Sequence, residues 1–129
     1  MSERCYVLDA SAVLCAMLDE PGAEAVAALL PDAQIGAVNL SEVIAKLQER
    51  HVPDDLIALS FADLDLEVIA FDREQAERAG RLRLATKSAG LSMGGRACLA
   101  LAMVSNAIAV TTDRSWARLD VGVDVELVR

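Results

Sequence analysis

The chain has 129 residues, 54% hydrophobic and 25% charged, with a net charge of −8, which suits one folded domain over residues 1–129 and argues against disorder. Aromatic residues make up only 3%, too few for a surface that stacks single-stranded nucleic acid. Three cysteines without paired spacing (Cys5, Cys15 and Cys98) and a single histidine argue against a disulfide framework, a cysteine zinc site and a histidine-centred triad, and favour a reducing cytoplasm.

In chain order, the opening MSERCYVLDASAVL has no basic region leading into a long apolar core, so no secretion signal is expected. No apolar run is long and charge-free enough to span a bilayer. CYVL reads as a short strand and SAVLCAML as a helix facing a core. DEPG marks a turn, AEAVAALL a second helix and QIGAV a short buried strand. NLSEVIAKLQER spaces Leu40, Val43, Ile44 and Leu47 along one face of a third helix, and His51 reads as its solvated end. VPDDLIALSFADL opens on proline and acids, as helix N-termini do. LEVIAF is a strand. DREQAERAGRLRLATKSAG opens on Asp72 and Gln75 at capping-box spacing and closes on glycine. GRACLALAMVSNA is apolar on most faces, hence a buried helix. IAVTTD is a buried strand, and VGVDVELV alternates with period two.

This alternation, without repeats, predicts an α/β fold whose mainly parallel sheet is covered on both faces. Function in such sheets gathers at the carboxyl ends of the strands. Charge is uneven: residues 1–72 carry 14 acids against 3 bases, whereas residues 73–129 carry 6 acids and 9 bases. Arg73, Arg78, Arg81, Arg83, Lys87 and Arg96 fall close together. A solvated helix face is the ordinary meaning of such a run; a strip holding a phosphate backbone beside an acidic pocket is the functional one.

Asp9 follows the first strand, Asp113 the fourth, and Glu42 opens the third predicted helix. Parallel topology carries all three to one edge. Clustered carboxylates raise one another's pKa unless a cation neutralises them. Oxygen ligands suit Mg²⁺ or Mn²⁺, and such an ion activates water and offsets charge on a phosphate. The chemistry suggested is metal-assisted phosphodiester hydrolysis. Each acid also has a structural explanation: Asp9 and Asp113 as N-caps, and Glu42 as the partner of Asn39 in a capping box. Ser11 and Thr112 are mainly structural hydroxyls able to support a water or a carboxylate, and Trp116 is a packing anchor.

The segments YVLDASAVL, NLSEVIAKL, GLSMGGRACLALA and VTTDRSWARL, in this order and over nearly the whole chain, together resemble the PIN-domain ribonucleases, and within them the VapC-type toxins of toxin–antitoxin pairs. The resemblance implies a three-layer α/β/α sandwich around a mainly parallel sheet, and a Mg²⁺- or Mn²⁺-dependent endoribonuclease acting on structured RNA such as tRNA. It further implies a homodimer, and inhibition by a VapB-type antitoxin whose tail lies across the site. Under it, Asp9, Glu42 and Asp113 match three of the family's four acids and are the expected catalytic and metal-binding residues, with Ser11, Thr112 and Arg96 serving the substrate.

The fourth acid of the family follows a glycine and precedes an arginine. Here the chain reads Gly94, Gly95, Arg96, so Gly95 stands where an aspartate is expected. A carboxylate there would be favoured by the helix dipole; glycine, tolerated as an N-cap, leaves the fold intact while weakening cation binding. The glycine fits an inactivating substitution best; a naturally degenerate member and an anion-binding nest are the alternatives. Two rival functions stand beside the ribonuclease. One is a catalytically silent module of the same fold that binds antitoxin or RNA, with groove walls from residues 11–30 and 39–62. The other is a receiver-like phosphoacceptor, which needs an acidic pair where this chain has Asp9 and Ala10, and a final lysine where it has VELVR.

Overall fold

The computed structural model describes residues 4–129; Met1, Ser2 and Glu3 of the opening stretch lie outside the described residues. Triplets and quartets rich in β-branched and apolar residues build five short strands among them: β1 (Tyr6–Leu8), β2 (Ala33–Gly36), β3 (Glu67–Ile69), β4 (Ile108–Thr111) and β5 (Val125–Leu127). They form one sheet in the order β3-β2-β1-β4-β5, and every pairing is parallel. The connecting helices are α1 (Ala10–Met17), α2 (Ala23–Leu29), α3 (Ala37–Glu49), α4 (Asp54–Ala62), α5 (Arg73–Arg81), α6 (Arg83–Thr86) and α7 (Met93–Ser105).

Side-chain alternation along the strands divides the core in two. Tyr6, Leu8 and Val110 pack with Val13, Val26, Val43 and Ile57 of α1 to α4. Val7 and Ala109 point the other way, onto Leu82, Cys98, Leu99 and Leu101 beneath α5 to α7. The result is the expected three-layer α/β/α arrangement. β1 lies in the middle of the sheet, with the chain passing to β2 on one side and reaching β4 on the other. The carboxyl ends of β1 and β4 therefore flank the crevice where parallel sheets bind ligands.

Several boundaries differ from the sequence reading. QIGAV is strand only to Gly36, which caps α3, so the helix starts at Ala37 rather than Asn39. The long helix expected over 72–90 is two helices that break at Leu82. There the Thr86 hydroxyl donates back to the Leu82 carbonyl at 2.8 Å, a bond that bends helices. Asp72 caps α5 through the Gln75 N–H as expected, but the Gln75 side chain reaches the Ala70 carbonyl. In VGVDVELV, Gly122 adopts a left-handed φ of 77°, and pairing with β4 begins only at Val125. The cysteines are free and His51 is exposed. No helix among the described residues is long and apolar enough to cross a membrane.

Candidate functional site

Strand register determines the first part of the site. Leu8 pairs with Val110, so the residues one step further, Asp9 and Thr111, meet at the carboxyl edge. Asp9 is buried, and three donors converge on its carboxylate. Ser11 Oγ and the Ala12 N–H donate to Oδ1 at 2.7 and 2.8 Å, and Thr111 Oγ1 donates to Oδ2 at 2.6 Å. Asp9 is thus the N-cap of α1 and a wall of the pocket at once, so the two roles open in the sequence are compatible. Thr111 Oγ1 also accepts the Asp113 N–H at 3.0 Å, linking the two aspartates. Asp113 caps the 3₁₀ turn Arg114–Arg118 by accepting from Ser115 N and Oγ at 2.9 and 2.8 Å.

Glu42 reaches the same place from α3. Because α3 begins at Ala37, Glu42 lies in its second turn and Asn39 is no N-cap. The Asn39 amide, buried within the protein, instead donates to Glu42 Oε1 at 2.9 Å and to the Gly94 carbonyl of α7 at 3.0 Å. Its own Oδ1 has no protein partner. A Cβ on Gly94 would overlap the Glu42 carboxylate, so the bare Cα is what lets α3 and α7 approach with the acid between them.

Gly95 comes next on α7. Ser92 is the N-cap, its Oγ accepting the Gly95 N–H at 3.4 Å, so Gly95 is the third helical residue and not a cap. Gly94 and Gly95 are both helical, and neither is among the residues with positive φ; an anion nest of alternating handedness is therefore not formed. A Cβ on Gly95 would meet Leu91 at 3.1–3.2 Å and the Trp116 ring at 3.3 Å, so those side chains have only to give by a few tenths of an ångström. Together these residues enclose a pocket of about 250 Å³ lined by Asp9, Ser11, Glu42, Gly95, Asp113 and Trp116, with Lys46 at its margin.

The pocket is electrostatically unbalanced. Burial, aided by the charge of Glu42, pushes the Asp9 carboxyl up, against the lowering effect of its hydrogen bonds. The same two acids, after burial itself, raise the Cys98 thiol well above its ordinary value. Each carboxylate keeps acceptor capacity: among the described residues, Oδ2 of Asp113 and Oε2 of Glu42 accept no hydrogen bond, and Oδ2 of Asp9 accepts one. Yet among the described residues no three His, Cys, Asp or Glu side chains are gathered closely enough to enclose an ion. The donor set fits a hard cation that retains several of its waters, as Mg²⁺ does, and not an all-protein cage.

Other expected residues lie elsewhere. Arg96 does not line the pocket: its guanidinium donates to the Ala79 carbonyl of α5 at 3.0 Å, and its buried Nε is unpartnered. Successive residues of a helix are rotated by about 100°, so the neighbour of a pocket-facing Gly95 faces α5. Thr112 contributes its N–H to Ser11 Oγ at 3.0 Å, whereas the hydroxyl on Asp9 belongs to Thr111. Arg73, Arg78 and Arg81 form i,i+4 pairs with Glu74 and Glu77, the solvated-face alternative for the basic run. The parts played by Thr111, Asn39 and Gly94 lie beyond the sequence reading. The only signals for them are a hydroxyl at a strand end, an amide three residues before an acid, and a second glycine.

A model of the PIN domain family matches residues 6–122. The comparison with curated proteins gives no match. Among solved structures, the chain is similar to DNA-bound VapBC from Salmonella typhimurium, at 20% identity and a TM-score of 0.76 over 98% of this chain and 100% of that one. A toxin–antitoxin complex from Klebsiella pneumoniae matches at 18% identity and TM-score 0.75, covering 96% and 98%. VapBC-5 from Mycobacterium tuberculosis matches at 22% and 0.61, covering 98% and 99%.

Two outcomes follow from the geometry. Gly94→Ala is expected to displace the flexible Glu42 carboxylate and to lower Mn²⁺ affinity about tenfold, the usual scale for disturbing a ligand's support. Gly95→Ala should leave that affinity unchanged; Mn²⁺ titration followed by the fluorescence of Trp116, the sole tryptophan, separates them. The second concerns pH. A raised Asp9 pKa means that the folded state holds this proton more tightly than the unfolded chain. Its stabilising contribution is present below the ordinary value of about 4 and is lost as pH rises through the higher folded value. The melting temperature of Asp9→Asn minus that of the parent, measured by calorimetry in EDTA, should therefore be more positive at pH 7 than at pH 3.5. An equal difference at both would show that Asp9 titrates as an ordinary carboxylate.

Proposed function

The chain belongs to the PIN-domain family, whose members are in general nucleases, and we propose that it is the ribonuclease toxin of a cytoplasmic toxin–antitoxin pair, impaired by the glycine at position 95. The observation that carries this reading is the convergence of Asp9, Glu42 and Asp113 on one pocket that Gly95 also lines. Asp9, Glu42 and Asp113 would hold Mg²⁺ or Mn²⁺; when bound, the ion supplies charge neutralisation and an activated water for phosphodiester hydrolysis. Three donors hold Asp9, and one hydrogen bond from Asn39 orients Glu42. Ser11 and Thr111 keep Asp9 in its acceptor state by donating to it. Gly95 offers no carboxylate at a helix start where the dipole favours one, which lowers cation affinity without disturbing the fold.

The proposed substrate is structured RNA such as tRNA, and the proposed partners are a VapB-type antitoxin and a second copy of the chain. The structural relatives are toxin–antitoxin assemblies, some solved on DNA. Support in this chain comes from α3 and α4, where Ile44, Leu56 and Leu59 are exposed by 38%, 52% and 66%. A shallow groove between Ala37, Leu40 and Ile44 suits an amphipathic helix. The silent-module reading shares these surfaces and differs only in turnover.

Gly95→Asp is expected to confer Mg²⁺-dependent cleavage of tRNA in vitro and growth arrest on expression, because it adds a carboxylate to the wall of the pocket that Asp9, Glu42 and Asp113 line. Adding Asp9→Asn to that variant should abolish cleavage, a loss on the order of 10²-fold or more, while the protein stays folded by circular dichroism. Equal RNA cleavage by the parent and by the Gly95→Asp variant would remove the missing-ligand account.

A further inference from the structure

The segments that wall the acidic pocket have a second side. Gly90, Leu91 and Ser92, with Asp113 and Trp116, face the acids. Ala85, Ser88 and Ala89, with Arg114, Ser115, Arg118 and Leu119, bound a separate cleft of about 400 Å³. The 3₁₀ turn Arg114–Arg118 is therefore a partition between the two. We propose that this cleft is a phosphate-binding subsite, in which Arg114 and Arg118 grip the RNA backbone beside the bond presented to the acids. This rests on the ribonuclease reading above and adds to it the residues that place the strand.

Charge is the first argument. The cleft has two arginines and two serines among its walls and no carboxylate, in a protein whose net charge is −8. Neither Arg114 nor Arg118 makes an ion pair or a side-chain hydrogen bond among the described residues. Arg73, Arg78, Arg81 and Arg129, by contrast, are paired with glutamates, and Arg96 is bound to a carbonyl. Guanidinium groups left without a carboxylate are suited to bidentate contact with phosphate oxygens.

Rigidity is the second. The turn that carries both arginines is anchored at its start by the Asp113 cap. It is pinned at its centre by Trp116, buried in the same core cluster as Val7, Leu91 and Leu99. The arginines consequently stand on a fixed base immediately after one of the acids, and little backbone ordering is needed for them to bind. Ala85, Ala89 and Leu119 add apolar lining to the cleft beside Ser88 and Ser115.

The test uses the full chain, which retains Gly95, and a fluorescein-labelled single-stranded RNA 12-mer followed by anisotropy in EDTA, so that no metal-dependent turnover intervenes. Arg114→Ala with Arg118→Ala should weaken binding about tenfold. The same pair should reduce the slope of log affinity against log salt by about 1.4, since each phosphate contact on a single strand contributes about 0.7. Arg114→Lys with Arg118→Lys should keep most of the slope and guards against misfolding. Arg73→Ala with Arg81→Ala removes equal charge from α5 and should change neither quantity. If the cleft variant binds RNA with the parent's affinity and slope, or if the α5 variant weakens as much, the subsite is refuted and the ribonuclease reading stands. Failure of both the parent and Gly95→Asp to bind either the 12-mer or a folded tRNA at any salt concentration would overturn both.

Discussion

A single buried carboxylate organises the carboxyl edge of this sheet. Asp9 takes hydrogen bonds from the first turn of α1, from Ser11 and from Thr111 at the end of β4. Because Thr111 in turn accepts from the Asp113 N–H, the position of the second aspartate is inherited from the first. The arrangement is costly in one respect: burial penalises the charged form, and the lifted Asp9 pKa records that the donors do not fully offset it. A site in that condition is primed to gain from a cation. The oxygens that cap α1 are the same ones that face the pocket, so the hydrogen bonds that hold α1 in place also aim the acid.

The glycine pair divides into two unlike residues. Gly94 is demanded by geometry, because the Glu42 carboxylate occupies the volume its side chain would need. Gly95 is less constrained: its backbone is helical, and a Cβ there would press on the side chains of Leu91 and Trp116 at 3.1–3.3 Å and not on a carboxylate. One glycine is a spacer between two helices, and the other is an absence. This asymmetry means that a side chain at position 94 would collide with an acid, whereas one at position 95 would meet only apolar side chains.

Much of this is legible in the order of elements. Alternating strands and helices imply a parallel sheet, and a parallel sheet brings Asp9 and Asp113 to one edge whatever their separation along the chain. What stays hidden depends on register and helix phase. Thr111 matters because Leu8 lies opposite Val110, a pairing that no local pattern encodes. Asn39 reads as a cap because apolar periodicity becomes clear only at Leu40, whereas α3 starts where Gly36 turns the chain. Arg96 reads as a pocket residue because it adjoins Gly95, although helical rotation sends adjacent residues to different neighbours. The short β5 shows the same limit: period-two alternation continues through Gly122, whose left-handed backbone prevents pairing.

Two consecutive glycines have a further consequence for α7. Each forgoes about 1 kcal/mol of helical preference relative to alanine, and both fall in the opening turn. That turn is held by tertiary ties: the Ser92 cap, the Asn39 bond to the Gly94 carbonyl, and the contact of Leu91 with Trp116. Its local opening free energy is thus set less by the helix than by what surrounds it. Anything that fills the pocket and tightens Asn39 or Trp116 also orders the start of α7, and the entropy of that single turn becomes part of the affinity of the site.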